Sequence, residues 1–102
     1  MSKVELSIEA RNDLVSVWVY LAENGSEDIA DRFIDQLQEA CVNLAQMPTI
    51  GKSQDHIREG LKRHVYRNYS IYYDIAGQSH VIIRRFWHQS RDLESFILDE
   101  DE

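Results

Sequence analysis

The stretch over residues 60–93, GLKRHVYRNYSIYYDIAGQSHVIIRRFWHQSRDL, constrains the fold of this chain more than any other. Within it Tyr69, Ile71, Tyr73 and Ile75 alternate with Ser70, Tyr72 and Asp74. That period of two is how a strand presents one face to a core. An apolar run at residues 61–66 precedes it. Ala76, Gly77, Gln78 and Ser79 then make a short connection to residues 81–87, which are rich in β-branched and aromatic side chains. The pattern predicts an antiparallel meander of three strands.

Charge sets this stretch apart from the rest. Residues 52–91 hold eight basic side chains, Lys52, Arg58, Lys62, Arg63, Arg67, Arg84, Arg85 and Arg91, against Asp55, Glu59 and Asp74, a local +5. Residues 1–51 stand at −6 and residues 92–102 at −6, which gives the chain its net −7. A basic sheet is thus set between acidic ends. The pI near 5.0 argues against generic nucleic-acid binding, which goes with an overall basic balance.

A chain of 102 residues supports one core, so residues 1–98 are read as a single domain and residues 99–102 as an acidic tail that frays. Cys41 is the single cysteine, which rules out an internal disulfide and suggests a reducing compartment, the cytoplasm. No segment approaches the roughly 18 apolar residues of a membrane span, and the N-terminus lacks the apolar stretch of a signal peptide. His56, His64, His80 and His88 have no metal-ligand spacing, and there is no glycine-rich phosphate loop, so neither a metal nor a nucleotide cofactor is expected.

Before the sheet, Val4, Leu6 and Ile8 alternate with Glu5 and Ser7 as a short strand that must join the meander. Ser7 is suited to cap a helix from about Ile8 whose apolar stripe is Leu14, Val17, Trp18 and Leu21, ending at Asn24 and Gly25. Ser26 caps a second helix, with Ala30, Phe33, Ile34, Leu37, Cys41, Leu44 and Ala45 on one face and Pro48 closing it. Helices joined by so short a turn lie antiparallel. Residues 49–59 form a polar connection, and Ser90 or Asp92 caps a last short helix carrying Leu93, Phe96 and Ile97. The expected architecture is α+β: an N-terminal strand, an antiparallel helical hairpin packed on a small, mainly antiparallel sheet, and a short C-terminal helix.

In order along the chain, EARNDL, W.Y.AE, A.RFIDQL.EAC..LA..P.IGK, GLKRHVYRNYSIYYDI and IIRRFWHQSRD together resemble the ParE branch of the RelE/ParE superfamily of type II toxins, familiar from plasmid stabilisation. The resemblance implies a toxin that poisons DNA gyrase and is neutralised by a cognate ParD-like antitoxin, without binding nucleic acid itself. A RelE-like ribosome-dependent mRNA interferase and an inactive binding relative are the alternatives. Two positions depart from the ParE pattern: Lys62, where arginine commonly follows Gly-Leu, and Asp74, where a basic residue often follows the tyrosine pair.

The candidate residues divide along the same lines. Cleaving RNA needs a base, an acid and cations around the phosphate, which His88, Tyr73, Arg63, Arg84 and Arg85 could supply. The binding reading uses no catalytic residue; it expects partner contacts from Arg58, Lys62, Arg63, Arg67, Arg84 and Arg91, since arginine suits carboxylate contacts at interfaces. Neighbours on a strand face opposite ways, so one of Arg84 and Arg85 is expected to pair within the monomer. Trp18 and Trp87 are further partner-contact candidates, with core packing as the alternative for both.

Overall fold

Ser7 is where the chain turns from strand to helix, and its hydroxyl serves both elements. In the computed structural model, which describes residues 2–89, β1 (Lys3–Leu6) runs into α1 (Ile8–Asn24). The Ala10 N–H donates to Ser7 Oγ at 3.1 Å, and Ser7 Oγ donates to the Arg84 carbonyl at 2.8 Å. Ser26 caps α2 (Glu27–Gln46) in the same manner, accepting from the Ile29 N–H at 3.2 Å, with Glu27 and Asp28 where the helix dipole favours negative charge. Both helices therefore start at the expected residues, and α1 packs against α2.

A 3-10 turn (Pro48–Ile50) leads into a two-residue strand β2 (Lys52–Ser53), then β3 (Lys62–Tyr66), β4 (Tyr69–Gly77) and β5 (His80–His88). The sheet order is β1-β5-β4-β3-β2, with β1 parallel to β5 and the other pairs antiparallel. The meander and the placement of β1 agree with the sequence reading. β2 falls inside what the sequence offers only as polar connection. The expected last helix, with Leu93, Phe96 and Ile97, lies outside the described residues, as does the acidic tail.

Between helices and sheet sits the main core, with Leu14, Leu37, Leu44, Ile71, Tyr73 and Ile83 at its centre. The alternation in β4 suggests one dry face, yet Ser70, Ile71, Tyr72 and Tyr73 are all buried. The reason is a second, smaller cluster on the face away from the helices, where Leu61, Tyr72 and Trp87 pack with Ile57. The loop after β2 provides that cover. Its shape is fixed by Gln54, whose N–H donates to the Leu61 carbonyl at 2.7 Å, and by Asp55, which accepts from the Gly60 N–H at 2.9 Å. Gly60 has φ +85, a left-handed conformation that glycine adopts without steric cost.

One irregularity organises the functional end of the sheet. The pairing passes from Tyr72↔Arg85 to Tyr73↔Ile83, which leaves Arg84 as an extra residue in β5, a β-bulge. The bulge frees Arg84 and Arg85 from simple alternation.

Candidate functional site

β1 ends at Leu6, opposite Ile83, so from Arg84 onward β5 has no strand on that side. α1 takes the place of one. Asp13 on α1 accepts from the Phe86 backbone N–H at 3.0 Å and from Arg85 Nε at 2.8 Å and Nη2 at 3.1 Å. Both side chains are buried, and the Arg85 guanidinium lies over the Trp87 ring, 4.6 Å from its centroid. Asp13 was absent from the sequence-derived candidates. Its signal there was a lone carboxylate beside Leu14 on the apolar side of α1.

Beside this pair α1 and the sheet enclose a cleft of about 270 Å³, walled by Asp13, Ser16 and Tyr20 from α1, Tyr69 from β4, and Phe86 and His88 from β5. His88 meets the Tyr69 ring edge-on at 5.1 Å, and Tyr69 packs in turn on Phe33 of α2 at 5.7 Å. With the Asp13 carboxylate engaged by Arg85 and Phe86, the walls offer hydroxyls, an imidazole and aromatic faces. Such a cleft suits one apolar or aromatic side chain of a partner.

Most of the arginines are put to use inside the monomer. Arg84 Nε donates to Asp74 Oδ2 at 2.6 Å and Arg58 Nη2 to the same oxygen at 3.1 Å, while Arg85 is held by Asp13. Thus both members of the Arg84/Arg85 pair are engaged at home, not one, because the bulge aims them at different carboxylates. Lys62 and Arg63 do not share a surface either. Lys62 is opposite Tyr73, on the helix side, and Arg63 is opposite Tyr72, on the other, where its Nε donates to Ser70 Oγ at 2.8 Å. Arg67 is exposed at the β3–β4 hairpin, over the Tyr66 ring. The expected single cationic patch is therefore divided, and Arg91 lies outside the described residues.

The remaining candidates are placed as follows. Tyr73 is fully buried; its hydroxyl donates to the Pro48 carbonyl at 2.6 Å and accepts from the Gly51 N–H at 3.0 Å, and burial raises its pKa. That hydroxyl is a strut between core and turn and stands apart from the cleft. Burial likewise raises the pKa of Tyr72, against the opposing charge of Arg63. Trp87 is buried under the second cluster, which corrects its assignment as a partner contact, and half-buried Trp18 donates from Nε1 to Asp31 at 2.8 Å, tying α1 to α2. Cys41 is packed in the core, which pushes its thiol up to about 12.

A second groove of about 320 Å³ separates α2 from β3, floored by Ala40, Leu44 and Tyr66 and edged by exposed Met47, Ile50 and Arg67. On the neighbouring edge Lys52 stands directly opposite Arg63 in the β2–β3 ladder, a like-charged pair that costs stability. Among the described residues no cluster of three or more histidine, cysteine, aspartate or glutamate side chains is placed to hold a metal ion, and no helix is long and apolar enough to cross a membrane.

The architecture is one that known toxins share. The structure superposes on a chain of the chromosomal ParDE system from P. aeruginosa with a TM-score of 0.73 at 16% identity, covering 86% of this chain and 96% of that one. It also superposes on the isolated E. coli RelE toxin with a TM-score of 0.61 at 15% identity over 100% of both. The class is thus the RelE/ParE α+β toxin fold. Residues 4–93 match the family described as ParE toxin of type II toxin–antitoxin system, parDE, and the chain belongs to that family. Among its relatives are Toxin ParE1 of Mycobacterium tuberculosis, 27% identical over 91% of this chain and 95% of that protein, and Toxin ParE1 of Caulobacter vibrioides, 24% identical over 95% and 99%. Membership implies a cognate antitoxin as partner.

Proposed function

We propose that this ParE toxin acts by binding DNA gyrase and trapping it on cleaved DNA, with no bond made or broken by its own side chains, and that a ParD-like antitoxin neutralises it. The observation that carries the reading is the fate of the arginines. A nuclease needs cations free to meet a phosphate beside its acid and base. Here Arg84 and Arg85 are held by Asp74 and Asp13, and the Tyr73 hydroxyl is committed to Pro48 and Gly51, away from His88. Among the described residues, cations of the basic half in reach of a partner include Lys52 and Arg63, opposed across the ladder, Lys62 on the other face, and Arg67 beside the α2–β3 groove. An acidic antitoxin segment with apolar anchors matches that combination and removes the like-charge repulsion.

Purified toxin incubated with gyrase and supercoiled DNA should accumulate cleaved DNA, and His88→Ala should retain most of that effect. Cleavage of mRNA on translating ribosomes, lost in His88→Ala while gyrase is untouched, would establish the RelE-like activity instead. Overexpression without antitoxin that leaves growth unchanged would point to an inactive relative.

A further inference from the structure

The cleft between α1 and the sheet has the size for a side chain, and the chain carries one within reach. At about 270 Å³ it lies below the range of roughly 300–1,000 Å³ usual for small-molecule pockets. Tyr69, Phe86 and His88 line it with rings, and on α1 its wall is exposed at Ser16 and at Tyr20, which is 61% exposed. β5 ends in this wall. His88 is its last residue, and the Gln89 N–H then donates to the Asn68 carbonyl at 2.9 Å, which anchors the point from which the chain continues.

The sequence goes on as Ser90, Arg91, Asp92, Leu93, Glu94, Ser95, Phe96 and Ile97. Leu93, Phe96 and Ile97 recur at the spacing of one helical side, among charged and polar neighbours. An apolar stripe of that kind needs a surface to cover it. Phe96 stands eight positions beyond His88, about 12 Å along a helix and about 28 Å at full extension, so the cleft is in range. We infer that the chain folds back after Gln89 and seats Phe96 in the cleft, on the rings of Tyr69, Phe86 and His88, with Leu93 and Ile97 against Val17 and Tyr20 of α1. The tether selects this occupant. A segment joined directly to the cleft wall is held there at an effective concentration on the order of millimolar, far above that of an antitoxin or a second copy at micromolar concentration. The free toxin thus carries its own stopper, and a partner side chain enters the cleft only by expelling Phe96.

Disulfide trapping in the full chain tests the contact. Ser16→Cys and Ile97→Cys put one thiol on the exposed wall of α1 and one on the segment. Cys41 is 2% exposed and its thiol is pushed up to about 12, so it does not compete. Under mild oxidation the pair should close a bridge within one chain, at the monomer mass of 12.0 kDa and at a rate independent of protein concentration. That rate should exceed by about tenfold the rate for Ile97→Cys with Glu39→Cys, which offers the α2–β3 groove in place of the cleft. Phe96→Ala should slow the first bridge about tenfold, and Phe96→Leu should keep most of the rate. Equal rates at Ser16→Cys and Glu39→Cys overturn the inference, as does a rate untouched by Phe96→Ala. Bridges that form only between two chains, or only when antitoxin is added, overturn it as well. The readout is the bridge and not toxicity, so its failure leaves the gyrase reading standing, and a gyrase indifferent to the toxin leaves the bridge standing.

Discussion

Replacing Asp13 by alanine tests the idea that a single carboxylate substitutes for a missing strand. The side chain accepts three hydrogen bonds, two from Arg85 and one from the Phe86 N–H, in surroundings where Asp13 and Arg85 are only 8% and 7% exposed. Removing it takes away the carboxylate that faces a buried guanidinium, a loss of about 3–5 kcal/mol. It also leaves a backbone donor unsatisfied, worth about 1–3 kcal/mol but overlapping the first term. We expect a net cost of about 4 kcal/mol, against a total stability of roughly 5–15 kcal/mol for a domain. At about 4–8 °C per kcal/mol, the melting temperature should fall by roughly 15–30 °C. Asp13→Asn keeps an acceptor for Phe86 but takes away the negative charge that Asp13 sets against Arg85, so about half the cost is expected. Joint replacement, Asp13→Leu with Arg85→Met, should recover stability to within about 1 kcal/mol, because the pair's desolvation cost is removed together with its attraction. Urea unfolding of the four proteins decides the matter. An alanine variant that loses less than about 1 kcal/mol would refute the reasoning.

Gly51→Ala should cost about 2–3 kcal/mol by denaturant midpoint, because a Cβ there runs into the Tyr73 hydroxyl and the Arg63 carbonyl and breaks the strut to Pro48. Arg67 sits at φ 54, where a side chain is strained; Arg67→Asn should stabilise the hairpin by about 0.5–1 kcal/mol while weakening antitoxin capture, measured by titration calorimetry. Alkaline pH should erode stability. Cys41 is raised from 9.0 to about 12 and Tyr72 and Tyr73 are raised as well, so the folded state keeps protons that the unfolded chain releases. Their contribution is complete below pH 9 and lost as pH climbs toward 12, so urea midpoints should fall across that window and Cys41→Ala should reduce the slope.

How much of this was legible in the sequence depended on the range of the interaction. Ser7 and Ser26 announce their helices because a cap acts within three residues, and the alternation of Tyr69, Ile71 and Tyr73 announces β4 because pleating is local. The bulge at Arg84 was illegible, since one added residue leaves the composition of a strand unchanged. The burial of Tyr72 was hidden as well: its cover comes from a loop that is polar except for Ile57 and Leu61. The arginines misled for the same reason. Positive charge in a sequence reads as an interaction surface, whereas Arg85 finds its carboxylate 72 positions away on a helix that the local pattern marks only as amphipathic.

Where the fold tolerates local cost is more informative about partners than where charge accumulates. Two such costs lie at one edge of the sheet: Lys52 opposed to Arg63, and the left-handed Arg67 stacked on Tyr66 beside the α2–β3 groove. Each is only partly offset within the monomer, by the Arg63 hydrogen bond to Ser70 and by the stacking of Arg67 on Tyr66, and an acidic segment laid along that edge would add a favourable charge contact to both. The third tolerated cost, the exposed apolar line on α1, lies by β5 and β1 at the opposite end of the order β1-β5-β4-β3-β2. The two surfaces are separated by the width of the sheet, so a partner seated on the cationic edge leaves the apolar side chains of α1 open, and the two places can be tested one at a time.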